Sequence, residues 1–311
     1  MLKKHPLSVF TGISQKELSE RLKRLTEKEL MYFKIMLSKS GVLYITSKPG
    51  VAKSAIIKSM ADKLGFLFFD IRLSMVDETD VGLYPKVGTY TVNGVEYEVL
   101  QHVVPEWAIA ANQQPSIIFF EELNRAHLAV RNAALQILLE RAIGFKFQFN
   151  DNVLMVASGN LGDEDGTDVN EFDSALNNRL IHVKHELTID EWVNGFAKEN
   201  IHPTIVGFLT HNAEHYYKKS DKEGTQAYAT PRSWRFLSDY INTNFPPVQK
   251  IGNFNGKENT PLFINKEGKL VDEHDEGAMP KMEYAPIQQW LADIKKVGLS
   301  FVGASITAFI R

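Results

Sequence analysis

Residues 41–59, GVLYITSKPGVAKSAIIKS, constrain the fold of this chain more than any other stretch. An apolar run, Val42, Leu43, Tyr44 and Ile45, reads as a short buried strand. A loop follows, and then Lys53 and Ser54 open a helix with apolar positions at Ala55, Ile56, Ile57 and Met60. Strand, loop, Lys-Ser and helix in that order make the context of a phosphate-binding P-loop. In that reading Ser47, Lys48, Pro49, Gly50, Val51, Ala52, Lys53, Ser54 and Ala55 surround the phosphates. Loop N–H groups and the positive end of the helix face the anion. Lys53 neutralises it and the Ser54 hydroxyl is a Mg²⁺ ligand. The pattern G-x-x-x-x-G-K-[ST] expects glycine where this chain has Ser47 and Ala52, because the loop needs a permissive φ. Taken alone, such a loop could equally be an ordinary strand-to-helix turn.

The rest of the chain supplies the second half of a nucleotide site. In residues 116–126, SIIFFEELNRA, four apolar residues form a strand that delivers Glu121 and Glu122 at its carboxyl end. Ligands bind at that end of a parallel sheet. Adjacent carboxylates there suit a nucleotide hydrolase, one holding Mg²⁺ through water and the next polarising the attacking water. Residues 65–71 are a further buried strand at βαβ spacing from the P-loop helix. Residues 153–160 are another, ending in the amide of Asn160.

EELNRA and the preceding HVVPEWAIAA resemble the Walker B region of the MoxR-like branch of the AAA+ ATPases, over roughly residues 40–240. The resemblance implies an α/β P-loop domain with a parallel sheet flanked by helices over 1–186. A mainly helical lid over 187–311 follows, with an insertion at about 246–285, and ATP between the two. It gives Glu121 the Mg²⁺ role, although the family has Asp there and the extra methylene pushes the carboxylate outward. Glu122 becomes the catalytic base and Asn160 the sensor beside the γ-phosphate. FDSALNNRL, residues 172–180, is similar to the segment ending in the arginine finger, so Arg179 would act on a neighbouring subunit's nucleotide. Arg125 is a second residue for contacts across that interface. ATPRSW, residues 229–234, is similar to the sensor-2 segment, which makes Arg232 a lid arginine on the γ-phosphate. Residues 297–309 resemble the last lid helix. The partners implied are further copies in a hexameric ring and a protein substrate, with von Willebrand factor A proteins as the family's usual companions.

Two rival classes follow from the same residues. Ser47, Ala52 and Glu121 fit an ATP-binding scaffold with weak or no hydrolysis. A DNA-directed motor of the same superfamily is the other. A formal net charge of −3 over 311 residues gives no electrostatic argument for nucleic acid or an anionic membrane. There is no cysteine, so disulfide and thiolate chemistry are excluded. No run approaches the ~20 apolar residues of a membrane span, and the start lacks a signal-peptide core. A cytoplasmic protein is the expectation.

Residues 14–37 carry a helical pattern, with Ser14 capping and Glu17 three residues later. Alternation on both sides of Asn93-Gly94 predicts a hairpin over 89–99. A second small hairpin is expected at 144–149. Both are expected to face a partner. The acidic loop GDEDGTDVNEF, with Asp163, Asp165 and Asp168, does not have EF-hand spacing and reads as a solvated loop. His211, Glu214 and His215 spell H-x-x-E-H, read here as solvated helix residues rather than a zinc site. Residues 245–284 are expected to be irregular, with at most a small hairpin around 263–270. Residues 287–310 are expected to be helical.

Overall fold

The computed structural model describes residues 6–39, 41–145, 147–162, 169, 172–219, 228–265 and 267–284. The acidic loop and the terminal helix expected at 287–310 lie outside the described residues, in whole or for the most part. The chain divides into two compact units, 1–186 and 187–311.

In the first unit the helical pattern at the start is two helices, α1 (Gln15–Leu22) and α2 (Glu27–Ser38). The break falls where Thr26 caps α2: its hydroxyl accepts from Glu29 N–H, and the Glu29 carboxylate accepts from Thr26 N–H. Then come β1 (Val42–Thr46), α3 (Lys53–Leu64) and β2 (Leu67–Arg72). A long hairpin, β3 (Pro85–Val92) and β4 (Val95–His102), leads to α4 (Glu106–Gln113) and β5 (Ser116–Glu121). α5 (Leu128–Glu140) precedes two strand stubs, β6 (Ala142–Ile143) and β7 (Phe147–Gln148). The unit ends with β8 (Val153–Gly159), α6 (Ser174–Asn177) and β9 (Leu180–Lys184).

Five strands form one parallel sheet in the order β2-β5-β8-β1-β9. Its central strands read as unbroken apolar runs because both faces are covered. Alternate residues serve different cores. Leu43, Ile45, Ile117, Phe119, Leu154 and Val156 pack with α1, α2 and α3. Val42, Tyr44, Ile118, Phe120, Met155 and Ala157 pack with α4 and α5. Helix α3 is pinned to α2 by a buried carboxylate: Glu29 accepts from Lys63 Nζ at 2.7 and 2.9 Å and from Ser59 Oγ at 2.9 Å. Burial opposes the charge on Glu29. The hydrogen bonds from Lys63, Thr26 N–H and Ser59 outweigh it and hold the carboxyl below its ordinary value.

The β3–β4 hairpin is longer than its alternating sequence suggested, running from Pro85↔His102 to Val92↔Val95. Asn93 and Gly94 turn it with φ of 52° and 80°, the left-handed pair that suits a two-residue hairpin turn. The second hairpin is smaller and displaced. Its first strand is Ala142–Ile143, before Gly144, and only Phe147–Gln148 of the expected segment is its second.

The second unit is helical at first. It contains α7 (Ile189–Trp192), a π-helical turn at Val193–Ala197, α8 (Lys198–Asn200), α9 (Pro203–His211) and α10 (Pro231–Asn244). Trp192, Ile205, Leu209, Trp234, Leu237 and Ile241 make its core. Helix α9 ends before Asn212, whose φ of −131° is not helical, so H-x-x-E-H does not lie on one helix. Residues 245–284 are more ordered than their composition predicted. They hold an Ile251–Phe254/Lys257–Pro261 hairpin, a three-stranded element around Phe263–Ile264, and a pairing of Val248–Gln249 with Met282–Glu283. The missed signal is Asn255-Gly256, with φ of 53° and 78°, which turns the first of these hairpins.

His202 is expected to make this unit acid-sensitive. It caps α9, its Nδ1 accepting from Thr204 N–H at 3.3 Å, and the Tyr284 ring stands edge-on to it at 4.8 Å. Burial lowers its pKa to about 4 from an ordinary 6.5. Between those values the unfolded ring carries a proton that the folded ring refuses, so stability rises with pH. The contribution is complete above 6.5 and is lost as pH falls toward 4. Urea unfolding should therefore show a loss of about 2 kcal/mol between pH 7 and pH 5 from this group. His202→Asn keeps a capping side chain without a titrating ring. It should flatten that part of the profile, and an unchanged slope would refute the assignment.

Candidate functional site: a P-loop beside two glutamates

The carboxyl ends of β1, β5 and β8 lie side by side and bring the residues of the P-loop reading together. The loop after β1 turns through Gly50 at φ 76° and Ala52 at φ 63°, and α3 begins at Lys53. Ala52 thus stands in the left-handed conformation that explains why glycine is preferred there, a cost of roughly 1 kcal/mol. Ser47 is buried, and its backbone carbonyl and hydroxyl both accept from Lys53 Nζ, at 3.3 and 2.9 Å. Lys53 also donates to Asn160 Oδ1 at 3.2 Å, which ties the P-loop lysine to the end of β8.

Asn160 is itself held from the 3₁₀ turn Leu123–Arg125 that follows β5. Asn124 donates to its carbonyl at 2.9 Å and accepts from its N–H at 3.1 Å. The residue before it, Gly159, leaves no room for a side chain. A Cβ there would lie 1.8 Å from Tyr44 Oη and 2.6 Å from Asn124 Oδ1.

The two glutamates point to different partners. Glu121 is buried at the end of β5, and its Oε1 accepts from Ser54 Oγ at 2.6 Å. Its Oε2 accepts from Arg72 Nε at 2.8 Å and forms an ion pair with Nη2, also at 2.8 Å. Glu122 follows in a left-handed turn, φ 60°, that takes its side chain out of the strand alternation. Its carboxylate accepts from Ser74 Oγ and, at 3.4 Å, from Arg125 Nη1. Arg72 and Ser74 were absent from the sequence reading. The one available signal was a charged residue directly after the apolar run of β2, at the same end of the sheet as the glutamates.

Hard oxygen donors suit Mg²⁺, and here Ser54 and Glu121 place a hydroxyl and a carboxylate within 2.6 Å of each other. Among the described residues no group of three or more His, Cys, Asp or Glu side chains could hold a metal. The donor set therefore fits an ion that keeps phosphate and water ligands rather than one caged by protein.

Arg179 is not part of this constellation. Arg179 is exposed just before β9, and its carbonyl accepts from Val42 N–H at the amino end of β1. That is the opposite edge of the sheet from the P-loop. A cavity of about 850 Å³ opens beside it, lined by Lys39, Val42, Leu128, Arg131, Leu135 and Arg179. Arg232 belongs to the second unit, exposed on the first turn of α10, which Thr230 caps.

Residues 43–186 match the family model of the AAA proteins, the ATPase family associated with various cellular activities. No curated protein sequence matches the chain. Among solved structures, a candidate ATPase from Cytophaga hutchinsonii is similar at 14% identity and a TM-score of 0.39, over 73% of this chain and 62% of that one. The Thermotoga maritima RuvB Holliday junction branch migration motor is similar at 12% identity and a TM-score of 0.40, over 75% of this chain and 64% of the motor. The chain thus spans less than two thirds of the structures it resembles. No described helix is long and apolar enough to cross a membrane. The unit that carries P-loop, paired glutamates and Asn160 is the part of the chain that matches the AAA family, on a five-stranded parallel sheet flanked by helices.

Proposed function

We propose that this chain is a MoxR-like AAA+ ATPase that binds and hydrolyses ATP at the interfaces of a ring, remodelling a protein partner. The observation that carries the reading is the position of Arg179. It sits at the amino edge of β1, whereas Lys53, Glu122 and Asn160 gather at the carboxyl edge. Five strand residues at about 3.3 Å each separate those edges, beyond the reach of an arginine side chain. An arginine so placed suits a nucleotide on a neighbouring copy, and the cavity beside it gives such a neighbour room.

Within one site, Lys53 and the N–H groups opening α3 would hold the β- and γ-phosphates. Ser54 and Glu121 would hold Mg²⁺, which supplies charge neutralisation on those phosphates. Glu122 would take the proton of the attacking water, and Asn160 would orient that water. Arg179 of the next copy would stabilise charge developing on the transferred group. Arg232 is assigned to the γ-phosphate by resemblance alone. So are the hexamer and the von Willebrand factor A companion. The β3–β4 hairpin is the partner-facing element of this proposal. One of its faces carries exposed Tyr90, Val92, Val95 and Tyr97, which is unusual for a strand ribbon facing water.

A second reading, an ATP-binding scaffold that hydrolyses little, is favoured by one observation. Glu122 is engaged by Ser74 and Arg125. Steady-state phosphate release measured across protein concentration separates the two. A shared-site ATPase gives turnover per chain that rises with concentration as rings assemble, in step with sedimentation in MgATP. Rings that form and bind ATP without phosphate release would leave the scaffold. Turnover independent of concentration would remove the shared site.

A further inference from the structure

Arg72 is the last residue of β2, and the sheet register sets it directly opposite Glu121. Neighbours in register point to the same face of a sheet. Here two guanidinium nitrogens converge on one carboxylate oxygen, Oε2, at 2.8 Å each, Nε as a hydrogen-bond donor and Nη2 as an ion pair. The other oxygen, Oε1, stays with the Ser54 hydroxyl at 2.6 Å. The two oxygens of Glu121 are thus divided between a fixed cation and the P-loop serine.

Glutamate has one more rotatable bond than aspartate, so a buried metal carboxylate of this length needs something to choose its rotamer. A carboxylate on an aspartate at 121 would fall about one bond length short of Arg72. Arginine and glutamate are therefore matched across the two strands. We infer that Arg72 is a positioning residue: it holds Oε2 so that Oε1, beside Ser54, is the oxygen presented to the magnesium that accompanies ATP. The inference rests on the ATP-site reading above and adds a residue to it. It also accounts for the glutamate standing where the related family has aspartate.

The test is nucleotide affinity rather than turnover. Binding of a fluorescent ATP analogue is titrated in EDTA and across Mg²⁺ concentration, in the full chain carrying Glu122→Gln so that nothing is hydrolysed. Arg72→Ala should leave the affinity in EDTA unchanged and raise the Mg²⁺ concentration at half effect by about 10–100-fold, the usual consequence of removing a group that orients a metal ligand. Arg72→Lys keeps the charge but not the two-donor fork, and should fall between. Arg72→Ala that weakens binding equally in EDTA and Mg²⁺ would mean a merely structural role, and an unchanged Mg²⁺ dependence would mean no role. Either result overturns the inference while leaving the ATP site standing. A chain with Arg72 intact that binds no nucleotide even with Mg²⁺ overturns the ATP-site reading, and this inference with it.

Discussion

Arg179→Ala is expected to lower ATP turnover by about 10³–10⁵-fold, the usual worth of an arginine acting on the transferred phosphoryl group. Binding of MgATP should survive, because Arg179 stands at the opposite sheet edge from its own P-loop. That combination separates it from a structural residue. Its side chain is exposed and none of its charged atoms is described in a hydrogen bond or ion pair, so its removal should not change thermal stability. Phosphate release and analogue binding on the same preparation decide it. A variant that retains turnover would show that no neighbour's nucleotide depends on Arg179.

Glu122→Gln is expected to lower turnover by about 10²–10⁴-fold, the range for losing a general base. Glutamine is nearly isosteric and keeps an oxygen that can accept from Ser74, so the left-handed turn at φ 60° has no reason to change. What it loses is the ability to take a proton. Mixing the two variants gives the sharper result. In a mixed ring, some interfaces pair an intact Glu122 on one copy with an intact Arg179 on the next. Two inactive preparations should then regain turnover when combined. Silence in the mixture, with assembly confirmed, would place both residues in one self-contained site and end the shared-site reading.

The sheet was legible because its central strands are buried on both faces, which turns them into apolar runs that need no partner to be recognised; β2 and β9, at its two sides, are only half-buried. VLYI, IIFF and VLMVA each read as strands on their own, and all three are strands. The P-loop was legible through Lys53 and Ser54 despite its two missing glycines. The structure shows how it tolerates them: Ala52 adopts the glycine conformation, and Ser47 turns its hydroxyl and carbonyl to Lys53. What stayed hidden depends on register between distant strands. Arg72 meets Glu121 across a separation of 49 residues, and Ser74 meets Glu122 across 48. Nothing local in Arg-Leu-Ser announces either contact. The break between α1 and α2 was hidden for another reason: both helices keep a similar charge pattern, and only Thr26 with Glu29 marks the restart. The two-residue pairings beyond residue 245 were obscured by their shortness, which leaves no periodicity to read.

The β3–β4 hairpin has a further consequence for how such a protein can diversify. Its ladder closes on itself, and the bond from Val103 N–H to the Tyr84 carbonyl, 2.9 Å, brings the two ends together at its base. No strand of the parallel sheet depends on it for a partner. The hairpin is therefore self-contained in its strand pairing and joined to the rest of its unit at its base. Under the proposed function, changes to its tyrosines and valines would alter what is engaged and leave the register that aligns Lys53, Glu121 and Asn160 as it is. In that proposal, recognition and chemistry would drift at different speeds within a single chain.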